Sequence, residues 1–183
     1  MAEAEKRGWS APARAFHWLA ALLILTMLGL GLTMTHVVTD SGVRFDLYQN
    51  HKSLGFCVLA VMLLRTLWRL FDRAPAPPEA MPRWQHWLAQ AAHLALYLAA
   101  FGMIFSGWLN VSTSPLPLPT RFFGLFTIPN IARPNMTLSM TARMVHATVA
   151  WALIGLIVLH VAAALKHHLI DRDNVLKRML PFQ

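Results

Sequence analysis

Residues 143–168 read RMVHATVAWALIGLIVLHVAAALKHH, and this stretch decides the fold. Its cations, Arg143 and Lys166, stand at its two ends, and the run between them exceeds the roughly 20 apolar residues that cross a bilayer as a helix. In lipid the backbone must satisfy its own hydrogen bonds, so such a run forms a helix rather than an isolated strand. Two histidines, His146 and His160, interrupt the apolar interior. Polar side chains inside a membrane are costly and point to function before packing. A separation of 14 residues corresponds to about 21 Å of rise and roughly 40° of rotation. Both rings therefore project from nearly one face at two depths. One metal centre cannot use both, whereas two stacked centres can.

The rest of the chain fits a membrane setting. Hydrophobic residues make up 56% of the 183 and charged residues 13%, against about 25% charge in an ordinary soluble domain. Too few charges are present to clothe a water-facing globule. The formal net charge of +8 does not signal nucleic acid, because a basic nucleic-acid module is not this apolar. Basic residues flanking membrane helices account for it better. Hydropathy predicts four spans, at about Ala15–Val37, Tyr48–Phe71, Trp84–Val111 and Arg143–His168. The expected fold class is an all-α membrane protein, a four-helix bundle forming one domain over 1–183. The N-terminal segment MAEAEKRGWSAPARAF is polar and leads into an apolar run without a small-residue cleavage site, so that run is expected to be retained as the first helix.

Connections are expected at 38–47, a short polar loop, at 72–83, and at 112–142. The second, DRAPAPPEAMPR, is too proline-rich to be helical throughout. The third carries Pro115, Pro117, Pro119, Pro129 and Pro134 and is expected to form an irregular cap, with a short helix before Arg143. Lys6, Arg7, Arg14, Arg65, Arg69, Arg73, Arg83, Lys166, Arg172, Lys177 and Arg178 fall on one side; Arg44, Lys52, Arg121, Arg133 and Arg143 fall on the other. The positive-inside rule then places both termini in the cytoplasm and the long third loop in the periplasm.

Depth sorts the nine histidines. His17 lies about one turn inside the cytoplasmic end of the first helix, level with His160. His51 opens the second helix, level with His146. Two bis-histidine sites result, and a helix bundle is a suitable cage for a large planar cofactor. Zinc or copper wants three or four nearby ligands, so paired histidines in two layers suit haem better. The one cysteine, Cys57, forms no C-x-x-C-H motif, so haem would be held non-covalently, as b-type haem is; Cys57 itself reads as a small packed residue. Satisfied core histidines or a proton relay are the alternative to haem. His93, two turns into the third helix, is a rival ligand or a hydrogen-bond donor to a quinone or a haem propionate. Arg65 and Arg69, one turn apart, suit a propionate, or simply anchor the cytoplasmic end. Gly29, Gly31, Gly55, Gly102, Gly107 and Gly155 would admit a porphyrin or allow close helix packing. Trp18, Trp68, Trp84, Trp87 and Trp108 suit an interfacial belt, and His36, His86, His167 and His168 are expected to be solvated near interfaces.

The motifs ARAFHWL around His17, YQNHKSLG around His51, LLRTLWRL on the second helix, ARMVHATVAW around His146 and GLIVLHVAAALKHH around His160 resemble the prokaryotic di-haem cytochrome b561 family over nearly the whole chain. The tail DRDNVLKRMLP resembles that of its stand-alone members. The resemblance implies two b haems with axial ligands at His17, His51, His146 and His160, and a non-ligand role for His93. It implies an oxidoreductase of the bacterial inner membrane, in contact with lipid, that passes electrons from a periplasmic donor such as superoxide to ubiquinone or another quinone. Its wider relatives imply the alternative, a cytochrome anchor subunit of a hydrogenase or dehydrogenase with a redox partner protein. In either case nucleic acid is not a partner.

Overall fold

The computed structural model describes residues 8–72, 74–78, 81–116 and 118–180; Lys6, Arg7, Arg73 and Pro117 lie outside the described residues. Four long helices carry the chain: α1 (Ala11–Leu32), α2 (Ser41–Phe71), α3 (Arg83–Thr113) and α4 (Met136–Lys166). Short π-helical turns extend α1 through Thr33–Val37 and α4 through His167–Asp171. All four are long and apolar enough to cross a membrane. Large apolar side chains such as Leu22, Leu70, Trp87, Trp151 and Leu159 face outward, as a lipid-facing surface requires. This is a multi-pass membrane protein built as a four-helix bundle.

The helices pack chiefly as two hairpins, α1 on α2 and α3 on α4, joined through a thinner seam between α2 and α3. Ala20, Val58, Val61, Met62 and Ala100 form the buried core, flanked by Leu23, Met27, Tyr97 and Phe101. Small residues at Ala20 and Ala100 let the backbones approach where lipid offers no hydrophobic drive for association. The first and last described segments meet on one side, where the Trp9 amide donates to the Arg178 carbonyl at 3.3 Å. We call this the terminal side.

Three expectations needed correction. Residues 41–47 are helix, not loop: Asp40 caps α2 by accepting from the Val43 amide at 2.8 Å, and the helix simply projects beyond its apolar run. The short helix expected before Arg143 is continuous with α4, which Asn135 caps through the Leu138 amide at 3.0 Å. The third loop is not wholly irregular, because β1 (Thr120–Phe122) pairs antiparallel with β2 (Phe126–Ile128). Its turn has positive φ at Phe123 (47°) and Gly124 (78°), a left-handed pair that glycine accommodates at the second position without strain. The hairpin is pinned to α2: the fully buried Ser53 hydroxyl accepts from the Phe123 amide at 3.0 Å and lies 3.0 Å from the Arg121 carbonyl.

Candidate functional site: two layers of paired imidazoles

The seam between the two helix hairpins is lined by histidines in two layers. In the layer far from the termini, His51 of α2 faces His146 of α4 with ring centroids 6.2 Å apart and planes at 76°. In the terminal layer, His17 of α1 faces His160 of α4 at 6.3 Å and 71°. The four residues singled out by depth thus come together in the two expected pairs, each bridging one hairpin to the other.

The spacing tests whether such pairs suit haem. Two imidazole nitrogens about 2.0 Å from one iron on opposite sides put the ring centroids roughly 6.3 Å apart. Both pairs meet that figure. His93 also approaches His160, but at 5.5 Å, too close for two rings to flank one iron. It sits beside the terminal layer without matching the axial spacing.

In the far layer one ring is held by hydrogen bonds. His146 Nδ1 lies 2.9 Å from the Met103 carbonyl, an acceptor only, so Nδ1 carries the proton and Nε2 keeps its lone pair. Ser106 Oγ, 3.2 Å from the same nitrogen, adds a second contact. Gly107 makes room for this ring: a Cβ there would come within 3.0 Å of His146 Cε1. Gly31 faces His51 Cε1, where a Cβ at 3.5 Å would make only ordinary contact. His51 Nδ1 is buried and has no hydrogen-bond partner among the described residues. Gly55 and Gly102 likewise face Met27 and Val149 at ordinary distances, as helix packing predicts, and Gly29 and Gly155 border open space.

The terminal layer is wired differently. Arg65 reaches from α2 to place Nη1 2.9 Å from His17 Nδ1 and Nε 2.9 Å from the Tyr97 hydroxyl, which accepts. A guanidinium only donates, so in this arrangement the His17 proton sits on Nε2. Ligation through Nε2 requires the other tautomer, and with it the release of Arg65. Arg69 instead stacks on the Trp9 ring at 4.3 Å, at the edge of the bundle. Tyr97, Met103 and Ser106 were not singled out by sequence reasoning. Tyr97 is four residues from His93 on one helix face, and a hydroxyl in an apolar span was the available signal; the Met103 carbonyl offers none.

The other residues singled out in the sequence lie mostly at the ends of the helices. Trp18 donates to the Met179 carbonyl at 2.7 Å, Trp68 to Ser10 Oγ at 3.0 Å and Trp108 to the Pro129 carbonyl at 3.1 Å, so these three tie down bundle ends. Cys57 is half-buried and free. His167 departs from the expectation of a solvated ring: its Nδ1 lies 2.6 Å from Asp173 and 3.2 Å from Asp171. The left-handed turn at Arg172 swings the tail back and brings Asp173 to it.

Comparison with known proteins agrees with this architecture. A family described as prokaryotic cytochrome b561 matches residues 8–182. Cytochrome b561 homolog 2 of Escherichia coli K12 is 37% identical, over 91% of this chain and 87% of its own length. Cytochrome b561 homolog 1 of the same organism is 28% identical over 90% and 92%. The probable superoxide oxidase CybB of Yersinia pestis is 29% identical over 72% and 73%.

Proposed function

The chain belongs to the prokaryotic cytochrome b561 family, whose members hold b-type haem and transfer electrons, and from that premise we propose a di-haem carrier that delivers electrons from an external donor to the quinone pool. It would lie in the bacterial inner membrane with both termini cytoplasmic, since the terminal side carries Arg14, Arg65, Arg69, Arg83, Lys166, Arg172, Lys177 and Arg178. His51 with His146 would hold one haem near the periplasm, and His17 with His160 would hold the second near the cytoplasm. The single observation that carries this reading is the pair of imidazole separations, 6.2 and 6.3 Å, stacked along one face of α4. Bound in this way, b haem supplies a one-electron ferric/ferrous couple tuned by ligand, burial and neighbouring charge.

The chain's own residues do the rest. Met103 and Ser106 engage His146 Nδ1, which leaves Nε2 free to hold the metal. Arg65, once His17 takes the ligating tautomer, is free to pair with a propionate in bidentate fashion. His93 and Tyr97, one turn apart beside the His160 layer, offer an N–H and an O–H to the two carbonyls of a quinone head group. Quinone reduction consumes two electrons and two protons, so two one-electron donor turnovers produce one quinol. Superoxide is the proposed donor, in line with the name of the Yersinia relative; each molecule would give up one electron and leave as dioxygen.

The test is haem counting. Purified protein should show a b-type α-band and two haems per chain. His17→Ala or His160→Ala should remove one haem, and His51→Ala or His146→Ala the other. Rapid mixing with superoxide and a short-chain quinone should then reduce haem first and quinone second, without any partner. A second reading, an anchor subunit of a larger redox enzyme, draws on the apolar tip of the periplasmic hairpin, where Phe123, Leu125 and Phe126 are exposed. A stoichiometric iron–sulfur or multi-haem protein retained on gentle solubilisation would favour it.

A further inference from the structure

The tail that follows α4 makes a set of contacts that the electron-transfer reading does not use. After the turn at Arg172 the chain runs back beneath the bundle and ends in a tight turn at Lys177–Met179. Arg178 is 7% exposed, unusual for a charged residue, and its Nη1 donates to the Ala76 carbonyl in the loop between α2 and α3 at 2.6 Å. Consecutive carbonyls of this turn accept from α1 and from the segment that leads into it. Trp18 Nε1 donates to Met179 at 2.7 Å, Arg14 Nη1 to Leu180 at 3.1 Å, and the Trp9 amide to Arg178 at 3.3 Å. Arg14 and Trp18 stand on either side of His17, three residues before it and one after.

The placement matters because His17 and His160 belong to different hairpins. α1 packs mainly on α2, and α4 mainly on α3. The tail is the covalent continuation of α4, and it grips α1 at the level of His17. It therefore sets the depth and rotation of α1 relative to α4, and with them the spacing of that one imidazole pair. The far pair is held by other contacts, at the other end of the bundle: the β1–β2 hairpin between α3 and α4 is pinned to α2 at Ser53, two residues from His51, and Met103 and Ser106 hold His146.

We propose that Arg178 is a positioning residue for the His17–His160 pair, acting through the 177–180 turn on Arg14 and Trp18. This rests on the reading of His17 and His160 as axial ligands. The test uses full-length, haem-loaded protein carrying Arg178→Ala, Arg178→Lys, Trp18→Phe, His17→Ala or His51→Ala, followed by redox potentiometry, low-spin ferric EPR and haem counts. The two histidine variants identify which couple belongs to which layer. Arg178→Ala should change the one-electron equilibrium constant of the couple lost in His17→Ala by threefold or more, or lower its haem occupancy below half. The couple lost in His51→Ala should stay as in the wild type. Arg178→Lys, which keeps one donor for Ala76, should recover part of the change. Trp18→Phe removes a single bond to the turn and should move the same couple by less, so it carries the test if Arg178→Ala does not accumulate. Both couples unchanged, or both shifted together, would overturn the proposal. Retention of two haems by His17→Ala would instead overturn the ligand assignment on which it stands.

Discussion

Gly107→Ala is a small change aimed at one imidazole. The added Cβ would stand 3.0 Å from His146 Cε1 and 3.2 Å from Nδ1, inside ordinary van der Waals contact. The ring has little room to yield, because Nδ1 is held 2.9 Å from the Met103 carbonyl; a shift of about 0.5 Å takes that bond toward the limit of useful geometry. Overpacking of this kind costs about 1–3 kcal/mol, which corresponds to a roughly 5- to 150-fold weaker hold on a ligand that needs the ring in place. Helix propensity works the other way, since alanine gains about 1 kcal/mol over glycine in a helix interior. Gly102→Ala supplies the control on the same helix: it has the same propensity gain, but its Cβ meets only Val149 Cγ1 at 3.7 Å. Gly102→Ala should therefore keep two haems and melt at or above the wild-type temperature. Gly107→Ala should drop toward one haem per chain by pyridine haemochrome, losing the signal that His51→Ala also loses. If Gly107→Ala matches Gly102→Ala in haem content, EPR spectrum and melting, His146 does not hold a cofactor from this position.

Other outcomes follow from the ends of the bundle. Ser53→Ala deprives the Phe123 amide of its acceptor and frees the hairpin from α2; at about 1–3 kcal/mol for an unsatisfied group, hydrogen exchange over 120–128 should rise several-fold while haem content holds. Asp173→Ala removes the nearer acceptor of His167 Nδ1 and the acceptor of the Val175 amide, so the tail should loosen and the couple moved by Arg178→Ala should move in the same direction on redox titration. If Arg44, Lys52, Arg121, Arg133 and Arg143 steer an anionic donor, stopped-flow haem reduction by superoxide should slow as salt rises from about 10 to 150 mM, where the Debye length falls from roughly 30 to 8 Å. A rate independent of salt would leave those charges as ordinary loop solvation.

The spans and the four paired histidines were legible because both rest on one quantity, the cost of polar groups in lipid. Hydropathy measures that cost directly, and a histidine inside an apolar run registers as an exception to it. The same quantity misses helix ends. α2 begins at Ser41 and α4 at Met136 because Asp40 and Asn135 cap them in water, where hydropathy is silent. The hairpin escaped for another reason. Strands of three residues are too short for a period to emerge, and what holds TRFFGLFTI in place is Ser53, some seventy residues upstream. His167 read as solvated because its partner, Asp173, reaches it only after the chain reverses at Arg172. Within the site, side chains that differ from an apolar background were visible, as with Arg65. A carbonyl such as that of Met103 carries no mark in the sequence, yet it fixes the tautomer of His146.

The two layers differ in the charge that touches them, and in the proposed di-haem carrier this would set a direction for the electron. Among the described residues the groups in contact with the far pair's rings are a backbone carbonyl, a serine hydroxyl and glycines, all neutral, and the cations of that side, Lys52 and Arg143 included, contact neither ring. The terminal pair has the Arg65 guanidinium beside it, held at one edge by Tyr97; release from His17 Nδ1 on ligation leaves that charge next to the same layer, where it would face a propionate. A haem iron that gains an electron loses one unit of positive charge, so a nearby cation favours its reduced form. At about 10 Å and an effective dielectric near 20, one charge contributes about 1.7 kcal/mol. For a one-electron couple this is about 70 mV. The terminal couple should therefore be the more readily reduced, and an electron entering at the far layer runs downhill toward His93, Tyr97 and the proposed quinone position. Arg65→Gln keeps a donor for Tyr97 but removes the charge. It should lower the midpoint lost in His17→Ala by about 50–100 mV, leave the other within about 20 mV, and slow quinone reduction more than haem reduction. A terminal midpoint unmoved by Arg65→Gln would show that Arg65 does not set the gradient, and equal midpoints in the wild type would show that there is none to set.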